Sequence, residues 1–187
     1  MVRWLINHSA IRLGSRSLLH LYTPETLCAA AERTEGMTVE QNLRMVEAAF
    51  EAINEQDWDH LWGLHVDNIV MSVPDLPDPV KGREAVQGRL QAWAEALPDL
   101  SWKRVRGFGQ GDWVCVELLI TGTHKGPLRH GLGRATLQKA SGNSVPPTGK
   151  RIELRGCVVY KVEGGEISES HIYYDQLGFM NQLGLAP

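Results

Sequence analysis

The chain has no excess of basic residues: 19 Lys and Arg stand against 22 Asp and Glu, for a formal net charge of -3. Phosphate backbones are gripped mainly by Lys and Arg, so nucleic acid is not an expected partner. Cysteine is scarce. Cys28, Cys115 and Cys157 are odd in number and widely spaced, which argues against a disulfide framework or a thiolate metal site and reads as three reduced, small core residues. The seven histidines show neither an HExxH motif nor i, i+4 pairing with acids, and His60 and His65 are five apart. No metal and no cofactor are therefore expected. No run approaches the roughly 18 consecutive apolar residues of a membrane span, no block of like charge suggests an interaction tail, and no internal repeat is present. These absences leave a soluble, cytoplasmic protein as the expectation.

What is present is enough apolar material for one sizeable core, 43% of 187 residues. The first 36 residues carry Arg3, Arg12 and Arg16 before any acid and are rich in Ser and Leu, a composition compatible with a transit segment but without the compact apolar stretch of a secretion signal. Met37-Thr38-Val39-Glu40 reads as a second start. The domain is placed at 37–187, and the extension 1–36 is expected to add nothing to the chemistry.

From Glu40 to Asn54 the residues Leu43, Val46, Ala49, Phe50 and Ile53 fall on one helical stripe, with Thr38 as N-cap. Asp57 can cap a shorter helix carrying Trp58, Leu61, Trp62 and His65. Asn68 to Val73 reads as a strand stopped by Pro74, Pro77 and Pro79, and Gly82 to Leu97 as a third helix ended by Pro98. Thereafter the period changes to two. Leu100 to Phe108, Trp113 to His124, Ile152 to Val162 and Ile167 to Asp175 are strand-like, and the last pair is joined at Gly164-Gly165, a hairpin turn that wants positive φ. A long, weakly periodic excursion from Lys125 to Lys150 separates the strands, with Arg134 to Lys139 as an expected short strand. Helices on one face of a curved antiparallel sheet make an α+β domain.

Gly122-Thr123-His124-Lys125-Gly126, Pro146-Pro147-Thr148-Gly149-Lys150, Val162-Glu163-Gly164-Gly165-Glu166-Ile167, Asp175-Gln176-Leu177-Gly178 and Gln182-Leu183-Gly184 follow one another in this order. In this succession the chain, from about Val39 to Leu185, resembles the SnoaL-like polyketide cyclase, or predicted ester cyclase, family. That resemblance implies a nuclear transport factor 2-like, cystatin-like α+β barrel: a cone-shaped antiparallel sheet packed on three N-terminal helices. It also implies a ligand inside the cone and ring closure by an intramolecular aldol reaction without metal or organic cofactor. The family's acid/base Asp falls on Ile172 and its partner His on Val158. Neither side chain can move a proton, and the loss at Ile172 equally disfavours the related epoxide-hydrolase branch.

Other groups must then supply any chemistry. Glu117 stands in an apolar run, where a carboxylate either faces a cavity or sits in an ion pair; as the base, its replacement by Gln would abolish turnover. His124, at the mouth end of its strand, could donate to a substrate oxygen or bond the loop backbone. His171, Tyr173 and Asp175 share one strand parity while Ile172 and Tyr174 share the other, and alternation lets only one set inside unless a bulge intervenes. Asp175 could equally cap a terminal helix. His65 and Asp75 approach the cone's open end and read as satisfied or solvated residues. Trp62 and Trp93 lie on helical faces expected to meet the sheet and, with Tyr173, Tyr174, Val158 and Ile172, are candidates to touch a ligand. The expectation is a cyclase or isomerase of small hydrophobic carbonyl compounds, a homodimer through the exposed sheet face. A non-catalytic binding or accessory dimerisation module is the alternative.

Overall fold

A computed structural model describes residues 37–131 and 144–186. The extension 1–36 and the anticipated strand Arg134 to Lys139 lie outside the described residues. The elements, in chain order, are α1 (Val39–Glu55), α2 (Trp58–Gly63), β1 (His65–Ser72), β2 (Val80–Lys81), α3 (Arg83–Ala96), β3 (Ser101–Gln110), β4 (Trp113–Thr123), β5 (Arg151–Glu163), β6 (Glu166–Tyr174) and α4 (Gln176–Leu183).

Helix α1 begins in a capping box. Thr38 Oγ1 accepts from Gln41 N and Gln41 Oε1 accepts from Thr38 N, satisfying two otherwise orphaned donors. It buries Val46, Ala49, Phe50 and Ile53 and ends where Gln56 turns left-handed at φ 57°. The helix is keyed to the sheet by an amide. Asn54 Oδ1 accepts from Trp102 N at 2.7 Å while Asn54 Nδ2 donates to Trp102 O at 2.9 Å, so a side chain from α1 fixes the backbone of β3 beneath it.

The six strands form one sheet in the order β2-β1-β6-β5-β4-β3. It is mixed. β3 to β6 form the expected antiparallel meander, but β1, second from the edge, runs parallel to β6 and antiparallel to β2. Two nearly perfect alternations set the inner face: Val114, Val116, Leu118 and Ile120 on β4, and Ile152, Leu154, Val158, Tyr160 and Val162 on β5. Their apolar side chains, with those of α1 and α3, are the core.

Strand β6 carries a bulge that decides the site. Val162 pairs with Ile167, yet Lys161 pairs with Glu169, so Ser168 is an extra residue. Unbroken alternation from Ile167 would send His171, Tyr173 and Asp175 inward. The bulge reverses the parity: Ser170 is buried, Ile172 and Tyr174 face the interior, and His171 and Tyr173 face out.

Candidate functional site

Between α3 and the inner face of the sheet lies a small cavity. Its walls are Met71 and Val73 at the end of β1, Leu90 and Trp93 of α3, Trp102 of β3, Ile120 of β4, and Ile172 of β6, with Arg89 and Tyr174 at the polar edge. Its free volume of about 30 Å³ has room for about two water molecules. A second hollow of about 20 Å³ shares the walls Met71, Leu90, Trp102 and Ile172 and is bounded further by His65, Tyr160 and Ser170. Large side chains fill most of the cone. Trp102 Nε1 and Ser170 Oγ line these hollows without a partner among the described residues.

The polar edge is built around one buried ion pair. Arg89 sits on the apolar stripe of α3, four residues before Trp93, so burying that stripe carries the guanidinium inside. Its Nη2 donates to Asp75 Oδ1, and the two side chains are only 7% and 3% exposed. Asp75 Oδ2 accepts from the backbone N–H of Gly131 at 3.0 Å, so each carboxylate oxygen has a donor. Tyr174 Oη donates to Gly131 O at 3.4 Å, and Gln176 Nε2 reaches the same carbonyl. Gly131 holds φ at 86°, and a Cβ there would lie 2.8 Å from a Trp93 ring carbon and 3.3 Å from Tyr174 Oη. Only glycine lets the chain approach this closely. Phe179 of α4 stacks on Trp93 from behind, with ring centroids 5.4 Å apart.

Beside this pair stands His130. Burial, reinforced by the charge of Arg89, holds its imidazole below the ordinary 6.5, against the smaller opposing pull of Asp75. The Tyr174 phenol is pushed up, mainly by burial and then by Asp75. Near neutrality the edge thus offers a protonated phenol and a guanidinium, while the neutral imidazole belongs to His130, which is not among the residues lining the cavity but directly precedes Gly131 in the chain.

The other candidates are placed elsewhere. Glu117 lies on the outer face of β4, opposite the buried valines, in ion pairs with Arg106 Nε at 2.6 Å and Arg155 Nη1 at 3.8 Å. It does not reach the cavity, because its parity on β4 is that of Cys115 and Leu119. His171 is also outside, 3.2 Å from Glu169 Oε2 and against the Trp113 ring. Tyr173 is 57% exposed. Asp175 caps α4, its Oδ1 accepting from Gly178 N at 2.8 Å. His124 is fully buried beyond the end of β4. Its Nδ1 accepts from Thr148 N at 3.2 Å, which ties the loop ahead of β5 to the end of β4, while Nε2 has no partner among the described residues. Val158 and Trp62 are buried in the core, Val158 directly paired with Ile172. Trp93, Tyr174 and Ile172 line the cavity.

Arg89, His130 and Gln176 escaped the sequence reading. Arg89 alone carried a usable signal, a charge inside a helical apolar stripe, which calls for a buried partner; Asp75 is that partner. No group of three His, Cys, Asp or Glu side chains is placed to hold a metal ion among the described residues.

A family model, SnoaL-like polyketide cyclase, matches residues 43–183. The chain belongs to the SnoaL-like polyketide cyclase family. Solved structures share its fold. TsrD from Streptomyces laurentii superposes with a TM-score of 0.65 at 22% identity, covering 80% of this chain and 99% of that one. A candidate SnoaL-like polyketide cyclase from Jannaschia sp. CCS1 gives 0.65 at 18% identity, over 82% and 99%. IdmH from Streptomyces antibioticus, a candidate polyketide cyclase, gives 0.61 at 24% identity, over 77% and 99%. At these identities the likeness is one of fold. No curated protein matches significantly. No described helix is long and apolar enough to cross a membrane.

Proposed function

We propose that this SnoaL-like protein is a cofactor-independent cyclase or isomerase of a small hydrophobic carbonyl compound, bound in the cone with its carbonyl against Arg89 and Tyr174. The supporting observation is the junction of an apolar, tryptophan-walled cavity with the polar edge of Arg89 and Tyr174, where Tyr174 meets Gly131, the residue that follows His130. In this reading His130, kept neutral, takes the proton next to the carbonyl. The enolate oxygen is held by a guanidinium N–H of Arg89 not engaged by Asp75 and by the Tyr174 hydroxyl, turned from Gly131 O. The enolate carbon then attacks a second carbonyl of the same molecule, one carbon–carbon bond forms, and the His130 imidazolium returns its proton to the new alkoxide. Asp75 fixes Arg89 and so acts as a positioning residue.

A ligand of two or more rings exceeds the present free volume, so its entry requires Trp93 or Tyr174 to change rotamer. The test is proton exchange at the α-carbon of 2-tetralone in D2O, followed by NMR. Wild type should accelerate exchange over buffer, and His130→Ala and Tyr174→Phe should each remove most of the acceleration. No acceleration by wild type overturns the enzymatic reading.

The alternative is a non-catalytic binding or accessory dimerisation module. It is supported by the narrow cavity and by the apolar Ile172 and Val158 in place of the acid and the histidine that the family resemblance leads one to expect there. A thermal shift with 2-tetralone but no exchange would favour it. Under either reading we propose a cytoplasmic homodimer through the outer sheet face, where Phe108, Tyr173 and Trp113 are exposed. Sedimentation equilibrium with Phe108→Asp as the dissociating variant checks this.

A further inference from the structure

The outer face of the sheet carries a second chemical feature, unconnected with the cavity. Cys115 of β4 and Cys157 of β5 are diagonal neighbours across antiparallel strands: Cys115 is level with Val159, and Cys157 with Glu117. Their sulfurs are 3.1 Å apart although the residues are 42 positions apart in sequence. Both are half-buried in the single chain rather than sealed in the core, and because the dimer proposed above would cover this face, the site is open to oxidant in the dissociated protein. Strand pairing on both sides holds them there, because Cys115 is also level with Phe108 and Cys157 with Tyr173. Nothing in the packing of an outer face requires two thiols in contact.

We propose that Cys115 and Cys157 form a reversible dithiol/disulfide site that reacts with small two-electron oxidants such as hydrogen peroxide. The sulfurs must close by about 1 Å to reach bonding distance, and because the residues are diagonal rather than directly opposite, β4 and β5 must shift locally as well as rotate both χ1 angles. The thiolate is the attacking form. Burial first, then the hydrogen bond with Cys115 and the charge of Glu117, push the Cys157 thiol up to about 11. Cys157 therefore keeps its proton, which leaves the first attack to Cys115. Its thiolate attacks one peroxide oxygen and breaks the O–O bond, giving a sulfenic acid and a hydroxide that leaves as water. Cys157 sulfur, losing its proton to the departing hydroxyl, then attacks the sulfenyl sulfur and expels a second water. The net change is two thiols and one peroxide to one disulfide and two waters. The ring so closed contains the connection from β4 to β5, including His130 and Gly131.

The test uses the full chain with Cys28→Ser, so that only the pair remains, diluted until sedimentation shows a monomer and then treated with hydrogen peroxide. Intact mass should fall by two hydrogens, both thiols should vanish together, a peptide bridging Cys115 to Cys157 should appear, and dithiothreitol should restore both. Gain of oxygen atoms on either cysteine without cross-linking, a cross-link between chains, or two unreacted thiols would overturn the proposal. In the same background Cys157→Ser should stop at a sulfenic acid trapped by dimedone, and Cys115→Ser should leave Cys157 largely unreacted. The reverse pattern would overturn the assigned order of attack. The parent Cys28→Ser result stands alone should either variant fail to fold.

Discussion

Asp75 and Arg89 meet as an ion pair enclosed on all sides, with Gly131 N occupying the carboxylate oxygen that Arg89 leaves free. Breaking such a pair from one side leaves a charge stranded in a low-dielectric interior, at a cost of about 3–5 kcal/mol. Asp75→Val should therefore destabilise strongly in urea titration. Replacing both partners, Asp75→Val with Arg89→Met, should recover most of that loss, since a well-packed apolar pair of similar volume is often no less stable than a buried salt bridge. The double variant should still lack α-proton exchange on 2-tetralone, which separates stability from the proposed chemistry.

Gly131 supplies a second check on the same corner. At φ 86° a side chain is strained, and a Cβ would press on Trp93 and Tyr174. Gly131→Ala should cost about 1–3 kcal/mol and should perturb the near-ultraviolet circular dichroism of the Trp93–Tyr174–Phe179 cluster. The nearby Gly149 also has positive φ but has open space around it, so Gly149→Ala should leave that spectrum unchanged.

Stability should fall as pH falls through the histidine range. His65 is buried, and burial holds its imidazole below the ordinary 6.5, outweighing the bond from Nδ1 to Leu61 O and joined by the charge of Arg83. The unfolded chain takes up a proton below 6.5 that the folded protein refuses. The unfolded state then binds more protons, so stability is full above 6.5, declines below it and levels off only beneath the folded pKa. His124 and His130 are shifted in the same direction. Each contributes up to about 1.4 kcal/mol per pH unit, and His65→Asn should reduce the slope of urea midpoint against pH between about 6.5 and 5.

The face that each strand turns inward was legible wherever alternation ran unbroken. β4 and β5 show it, and so does the placement of Trp93 on α3. Of the two readings open to Glu117, a cavity or an ion pair, the structure shows ion pairs on the outer face; the pattern could not choose, because a strand whose outer face carries Cys115 and Leu119 looks apolar along its whole length. β6 was undecidable from pattern alone, since one added residue, Ser168, reverses every later side chain and leaves no mark in composition. His130 lies in an irregular connection with no period to place it. Its approach to Arg89 depends on Gly131 reaching Asp75 from a distant part of the chain.

The outer-face position of Glu117 makes its own forecast. Its partners Arg106 and Arg155 are 71% and 75% exposed, so solvent screens both pairs. Glu117→Gln should change stability by about 0.5 kcal/mol or less and should leave exchange on 2-tetralone at the wild-type rate. A loss of exchange in that variant would place the reacting ligand on the outer face and displace the cavity from the mechanism.

Ile172, where the family resemblance leads one to expect a carboxylate, offers the sharpest test of the proposed chemistry. Its side chain lines both hollows, beside Trp102, Met71 and Leu90. An Asp at this position would have its carboxyl desolvated and its pKa raised, the environment that makes a carboxylate a useful base near neutrality. Ile172→Asp should lose stability by several kcal/mol, because the largely apolar wall strips water from the new carboxylate and an apolar core contact is lost, even though Arg89, Trp102 and Ser170 line the same hollows. If the cone binds a carbonyl compound, the same variant should accelerate α-proton exchange on 2-tetralone at least about tenfold over wild type and, unlike wild type, should retain that rate in a His130→Ala background. A variant that is folded and binds the ketone yet exchanges no faster would mean that the carbonyl does not lie against β6, and the assignment of Tyr174 as its partner would fall with it.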